Sequence, residues 1–422
     1  MTTTPTTRDT VGLSLVPFQG LRYAPDRVSS IAAVTSPPYD VVVRPEELIE
    51  LETADPHNVV RLILPQSADP AERHQLAART LRQWREDGVL APDGAPALYI
   101  YEQRDGESLQ RGIIGTLTLD SSVLPHEDVM PGPVADRAAL MRATAANLEP
   151  LLLAYRGDPD GAASAAVERT AERTPLLTTT TEDGVRHRLW SITDPAEIAA
   201  VAAELAHHEA LIADGHHRWA TYLLLQREQR EPSPWDRGLV LLVDTTRYPL
   251  RVRAIHRVLH RLPVADALAS LGYAFRARTI TGTLGDALAE LAGAAREGNA
   301  FVLAGGDGYH LLTDPDPALL DSAVPQDRPQ AWRRLDATVL HSVLLDRVWR
   351  IPDAPDHIAY LHDAAAAEQQ ARRRGGSAIL MHPVDEGLVR SLAQQGVTMP
   401  RKSTSFGPKP ATGLVLRSLD LD

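Results

Sequence analysis

A mixed α/β fold, with both α/β and α+β character, is predicted by two patterns. Short apolar runs of strand length recur at residues 59–64, 97–103, 112–119, 238–243, 301–303, 378–381 and 413–416. Between them lie stretches with apolar residues at helical spacing. The chain has 422 residues, 44% apolar and 23% charged, which is enough for more than one core. Composition shifts weakly near residues 245–265. The reading is therefore a leader over residues 1–10, an α/β domain over 11–250 and a second over 251–422, giving a two-lobed protein.

The elements follow in order. Residues 1–10 are Thr-rich and read as a disordered leader, without the basic start and apolar run of a signal peptide. Pro37 and Pro38 force an extended path into Tyr39 and Asp40, with a helix expected from Pro45. The break at Asp55, Pro56, His57 and Asn58 leads into an expected strand over 59–64. A helix is predicted over 71–87, where Leu76, Leu81 and Trp84 share a face. The runs at 97–103 and 112–119 flank Arg104, Asp105, Gly106 and Glu107, a hairpin signal. A Pro/Gly-rich connector precedes a long helix expected to start near Asp136 and Arg137. An Ala-rich helix is expected over 195–210. Later helices are expected over 284–296 and 338–348, and a turn over 305–308.

The densest chemistry lies at Asp214, Gly215, His216, His217 and Arg218, directly after an apolar run and before a helical one. That order predicts a strand-to-helix turn. Glycine takes positive φ there, and the first N–H groups of the helix face whatever binds. Such a terminus favours anions, and His and Arg add donors suited to phosphate. Asp214 adds a carboxylate for metal or proton work. Asp-Gly pairs are also common in plain turns, so the run names no reaction.

Four other polar clusters stand at element edges: Tyr39 with Asp40, His57 with Asn58, His126 and Glu127 with Asp136 and Arg137, and Lys402 with Ser403 and Thr404. Tyr39, Asp40, His57 and Asn58 are read as substrate-binding. His126 and Glu127 pair a base with an acid suited to general acid–base work. Arg137, Ser403, Thr404 and Lys409 are assigned to phosphate or nucleotide, and Lys402 to stabilising charge on the transferred group.

Several classes are excluded or disfavoured. With no cysteine, disulfides, thiol nucleophiles and Cys-ligated metals are excluded, and a reducing cytoplasm suits the chain. No run approaches the roughly 20 apolar residues of a membrane span. A net charge of −12 makes a poor general nucleic-acid binder. Walker A, HExxH, GxSxG and GxGxxG patterns are absent. Mg²⁺ held by Asp214, Glu127 or Asp40 together with ligand phosphates is the expected metal.

Taken together, the clusters resemble a bacterial and archaeal family of unknown function. Its motifs read here as Pro37, Pro38, Tyr39, Asp40 and Val41; His126-Glu127 with Asp136-Arg137; Ala213 through Arg218; Met399 through Thr404; Pro408-Lys409; and Thr412 through Val415. Trp219 stands where Tyr is expected, and Gly407 where an aromatic is usual. More loosely, the strand–DGHHR–helix unit resembles the phosphate-binding box of the ParB/sulfiredoxin superfamily, which includes kinases of free serine. That resemblance implies a ParB-like core and a cytoplasmic, nucleotide-dependent phosphotransferase acting on a small hydroxyl metabolite, free serine or O-phosphoserine. Its cofactor would be ATP or ADP with Mg²⁺. The implied roles are His217 and Arg218 on phosphate, Asp214 on metal or acceptor hydroxyl, and Glu127 as general base. A phosphatase or lyase, or a nucleotide-binding regulator of the ParB type, stand as alternatives.

Overall fold

The computed structural model describes residues 12–42, 44–69, 71–306 and 308–422. The expected leader over 1–10, and Asp307 of the expected turn, lie outside the described residues. Two units emerge. The first is Met1–Pro125, Val129–Leu250 and Pro408–Asp422; the second is His126–Asp128 and Arg251–Gly407. The chain breaks at 250/251, but its last segment returns to the first unit instead of closing the second. Strand pairing explains this. Leu416–Ser418 lies between Gly20–Tyr23 and Ala146–Asn147, so its backbone bonds are all made in the first unit. Conversely, the Met399 N–H donates to the His126 carbonyl at 2.7 Å, which ties 126–128 to the second unit.

The first unit is built on a mixed sheet. Its strand order is Val123–Leu124, Ala210–Asp214, Leu151–Tyr155, Arg237–Asp244, Ser108–Thr118, Leu98–Asp105, Arg186–Ile192 and Leu177–Thr180. Leu151–Tyr155 runs parallel to Arg237–Asp244 and antiparallel to Ala210–Asp214. The expected hairpin forms between Leu98–Asp105 and Ser108–Thr118, with Gly106 at φ 53° in its turn. Alternate strand residues such as Leu151, Leu153, Val240 and Leu242 share a core with Ala163, Val201, Trp219 and Tyr222 from the helices. Period-two burial of one strand face against amphipathic helices is what stabilises the layer.

Three sequence expectations are corrected. Residues 59–64 hold a short helix, Val60–Ile63, not a strand. Val59, Val60, Leu62 and Ile63 are all buried and, within the helix, only Arg61 opens to solvent, so the short run shows no clear period. Asn58 then decides it: its side chain accepts the Val60 N–H at 2.9 Å and donates to the carbonyls of Ala33 and Thr35. The helix expected near Asp136 begins a turn and a half earlier, as Pro131–Thr144, because proline at the first position is tolerated. Asp136 and Arg137 are therefore mid-helix. The C-terminal strand is Leu416–Ser418, not 413–416, since Gly413 turns at φ 101°.

The second unit is a six-stranded sheet between two helical layers. Its order is Arg276–Ile280, Gly308–Thr313, Phe301–Gly305, Ser377–Leu380, His256–Leu259 and Ile358–Leu361. Leu259, Leu303, Leu312 and Ile379 face one core, which includes Ala267, Val343 and Leu344. Val258, Val302, Leu311 and Leu380 face the other, with Ala287, Leu291, Ala367 and Ala371. Strand alternation thus feeds both layers of an α/β/α stack. Among the described residues, no helix is long and apolar enough to cross a membrane.

Candidate functional site

The central turn forms as its residue order requires. Strand Ala210–Asp214 is fully buried, and its pairing to Leu151–Tyr155 shifts register between Ile212 and Asp214. Gly215 follows at φ 103°, ψ 29°, and helix His216–Arg227 starts at the next residue. A Cβ on Gly215 would sit 2.4 Å from Leu151 Cδ2, so both conformation and space call for glycine.

Asp214 is the hub. Its Oδ1 lies 2.5 Å from Lys409 Nζ, and its Oδ2 2.6 Å from Arg218 Nη2. Lys409 also reaches Asp40 Oδ2 at 2.5 Å, so one ammonium bridges two carboxylates. Arg218 is almost wholly enclosed and gives its other terminal nitrogen to the Pro150 carbonyl at 3.1 Å. Tyr39 carries two guanidinia against its ring, Arg137 at 4.5 Å and Arg218 at 5.7 Å. Its backbone N–H donates to Glu149 Oε1 at 2.9 Å.

The charges tune one another. Burial would raise the Asp40 carboxyl, but Lys409 and Arg218 outweigh it and hold it below the usual range. Burial would lower the Lys409 ammonium, yet Asp214 and Asp40 raise it. Glu149, wholly enclosed, is pushed up by burial, against the pull of Arg218, the Tyr39 N–H and Arg137. Burial also drives the Tyr39 hydroxyl up to about 12. Arg218 loses from burial but gains more from Glu149, Asp214 and Asp40, and ends above its ordinary value.

The turn therefore gathers Tyr39, Asp40, Arg137, Lys409, Asp214, Gly215 and Arg218, together with His216 and His217 in the first helical turn. His217 Nε2 accepts the Met130 N–H at 3.1 Å, so any donation from this ring to phosphate falls to Nδ1. Arg137 points its Nη1 at the Ile63 carbonyl and pairs with Asp136, which also holds Arg73 and His74. His57 and Asn58 stand elsewhere. His57 pairs with Asp55 and packs edge-on against Trp84, while Asn58 is spent on backbone. Glu149 was missed by sequence reasoning. Its signal was an acid set directly before Pro150 and an apolar strand.

His126, Glu127, Lys402, Ser403 and Thr404 belong to the second unit. There the Thr404 hydroxyl donates to Glu127 Oε1 at 3.0 Å and lies 3.0 Å from His126 Nε2. With its only proton given to Glu127, Thr404 accepts from the imidazole, which puts a proton on Nε2. Lys402 takes φ 55°, and the Ser403 hydroxyl donates to the Pro400 carbonyl at 2.5 Å. Among the described residues, no three His, Asp or Glu side chains converge as a metal-binding group.

The sequence pattern of the family described as "Protein of unknown function (DUF1015)" matches residues 15–338. The chain belongs to that family. Within DUF1015, the stretch matched includes the Asp40 and Asp214 segments but not Lys409. No curated protein matches the chain. Solved structures to which the chain is similar include a free serine kinase in complex with AMP, at 15% identity and TM-score 0.37, covering 74% of this chain and 93% of that one. A variant of a free serine kinase in complex with ADP gives 14% identity and TM-score 0.38, over 75% and 95%. A conserved hypothetical protein from Pyrococcus furiosus gives 16% and 0.35, over 74% and 97%. The ligands in those titles are properties of those proteins.

Proposed function

We propose that the Asp214 turn binds the phosphates of a nucleotide, and that the protein is a small-molecule phosphotransferase with a hydroxyl acceptor, free serine being the first to test. One observation supports this reading above the others: Lys409 bridges Asp40 and Asp214 beside the start of a helix. An ammonium, helix N–H groups and two carboxylates in one place are the parts phosphoryl transfer uses.

Lys409 is the more open cation, so it takes the donor phosphate, together with the first-turn N–H groups and His217 Nδ1. Enclosed Arg218 acts as a positioning residue that fixes Asp214. The acceptor oxygen bonds to the terminal phosphorus as the bond to the nucleotide's bridging oxygen breaks. Asp214 takes the hydroxyl proton. Asp40 would suit Mg²⁺ together with ligand phosphates once Lys409 pairs with phosphate, and Mg²⁺ would then neutralise phosphate charge while Asp214 serves as the base.

Two measurements on the purified full chain test this: melting temperature with ATP or ADP plus Mg²⁺, and phosphoserine formation on adding serine. Nucleotide should raise Tm by mass action, and Asp214→Asn and Lys409→Met should remove the rise. No shift with any nucleotide sinks the reading. Phosphate release from O-phosphoserine without nucleotide replaces it with a hydrolase. Loss of transfer in Glu127→Gln or Lys402→Met would draw the second unit's groups into the reaction.

A further inference from the structure

Arg218 and Arg257 are both enclosed, in opposite electrostatic company. Arg218 has Asp214 in contact and feels Glu149 and Asp40. Arg257, on strand His256–Leu259 of the second unit, is 1% exposed and has no acid in contact among the described residues. Its Nη1 donates to the Ile255 carbonyl, and its Nη2 to His341 Nε2 at 3.3 Å. Its guanidinium lies 5.2 Å from the ring of Tyr360, the residue directly opposite on the neighbouring strand. Its Nε has no hydrogen-bond partner.

Compensation acts only through space: Asp353, which accepts the Tyr360 hydroxyl, favours the charged Arg257 by its field without touching it. A guanidinium only donates, so His341 Nε2 must accept, and this imidazole is neutral with its proton on Nδ1. Burial, then Arg257, and finally Arg401 hold His341 down at about 4. Burial drags Arg257 itself down to about 10, the reverse of Arg218. His341 and Tyr360 are half-buried while Arg401 and Asp353 are exposed, so the cluster reaches solvent. An enclosed guanidinium is unfavourable unless an anion compensates it, and its fork matches phosphate oxygens.

We propose that Arg257, His341 and Arg401 form an oxyanion site in the second unit, which takes a tetrahedral, phosphate-type anion. Arg257 is its buried anchor, with Nε–H directed to the anion, and Arg401 is the outer donor. Tyr360 holds the guanidinium plane from the opposite strand. His341 contributes its Nδ1–H, and becomes easier to protonate at Nε2, releasing the Arg257 Nη2 bond to the anion, once a negative charge arrives. The site uses none of the residues assigned to phosphoryl transfer, so either reading can fail alone.

The test is the histidine NMR spectrum of the full chain carrying isotope-labelled histidine, with the His341 signal identified by its loss in His341→Gln. Inorganic phosphate at tens of millimolar and matched ionic strength should shift that signal. It should also raise the His341 pKa by about one unit, a roughly tenfold change in proton affinity. Arg401→Ala, an exposed change, should weaken the response several-fold, and Arg257→Gln should abolish it. Acetate should have a much smaller effect. An unmoved His341 signal, an undiminished response in Arg401→Ala, or an equal response to acetate would overturn the proposal. If Arg257→Gln does not fold, the Arg401→Ala and acetate arms decide alone.

Discussion

Lys409 shows how much one side chain can organise. Its ammonium is the shared counterion of Asp40 and Asp214. Replacing it by methionine leaves two carboxylates without that partner, at a cost of about 2 kcal/mol for a pair that is partly exposed. The sign with pH is defined. In the native chain the Asp40 carboxyl is depressed, so its contribution is present above the ordinary carboxylate pKa and lost as pH falls through the folded value. In Lys409→Met the Asp40 carboxyl should titrate higher, and the penalty should relax on acidification. Urea unfolding of both proteins from neutral pH to about pH 4 should show the gap closing. A gap constant with pH would remove the ion-pair explanation. The sequence showed Asp40, Asp214 and Lys409 as separate polar residues; nothing local in it says that one ammonium serves both acids.

Helix Val60–Ile63 is specified by Asn58, two residues before it, more than by its own residues. Val and Ile favour strands, yet Asn58 supplies the cap and ties the turn to Ala33 and Thr35. Asn58→Ala should cost about 3 kcal/mol, because it strands the buried Val60 N–H, the buried Thr35 carbonyl and the part-buried Ala33 carbonyl. The urea midpoint should drop, while the Tm rise produced by nucleotide should keep its size. Loss of that rise with unchanged stability would return Asn58 to a ligand-contacting role. Elements with a strong period were legible beforehand: helix Arg73–Glu86 buries Leu81 and Trp84, and the hairpin around Gly106 formed where turn chemistry placed it. Elements without a period, such as 59–64, were not, because a short run that is nearly all apolar carries no pattern to separate helix from strand.

Buried His187 in the first unit, and buried His256 and half-buried His341 in the second, are each held at about 4, chiefly by desolvation. An unfolded histidine binds a proton near its ordinary 6.5, so the stability these groups confer is complete above that value and is lost as pH falls towards 4. Each can cost up to about 3 kcal/mol across that window. Calorimetry from pH 7 downward should therefore show Tm falling well before the carboxylates titrate. His256→Gln, which keeps an acceptor for the Met381 N–H, should fall less steeply. Equal slopes would remove His256 from the account.

The amino-acid order alone established the mixed α/β class, the strand-turn-helix at Gly215 and membership of a recognisable motif set. Each rests on near neighbours: a two- or 3.6-residue period, a glycine between an apolar strand and a helix, and short motifs. The partners of Asp214, the burial of Glu149 beneath Tyr39, and an arginine enclosed without an acid emerged only from folding. Lys409 and Asp40 are 369 residues apart in sequence. Coulomb energy and desolvation depend on distance and enclosure in space, and no local pattern encodes either.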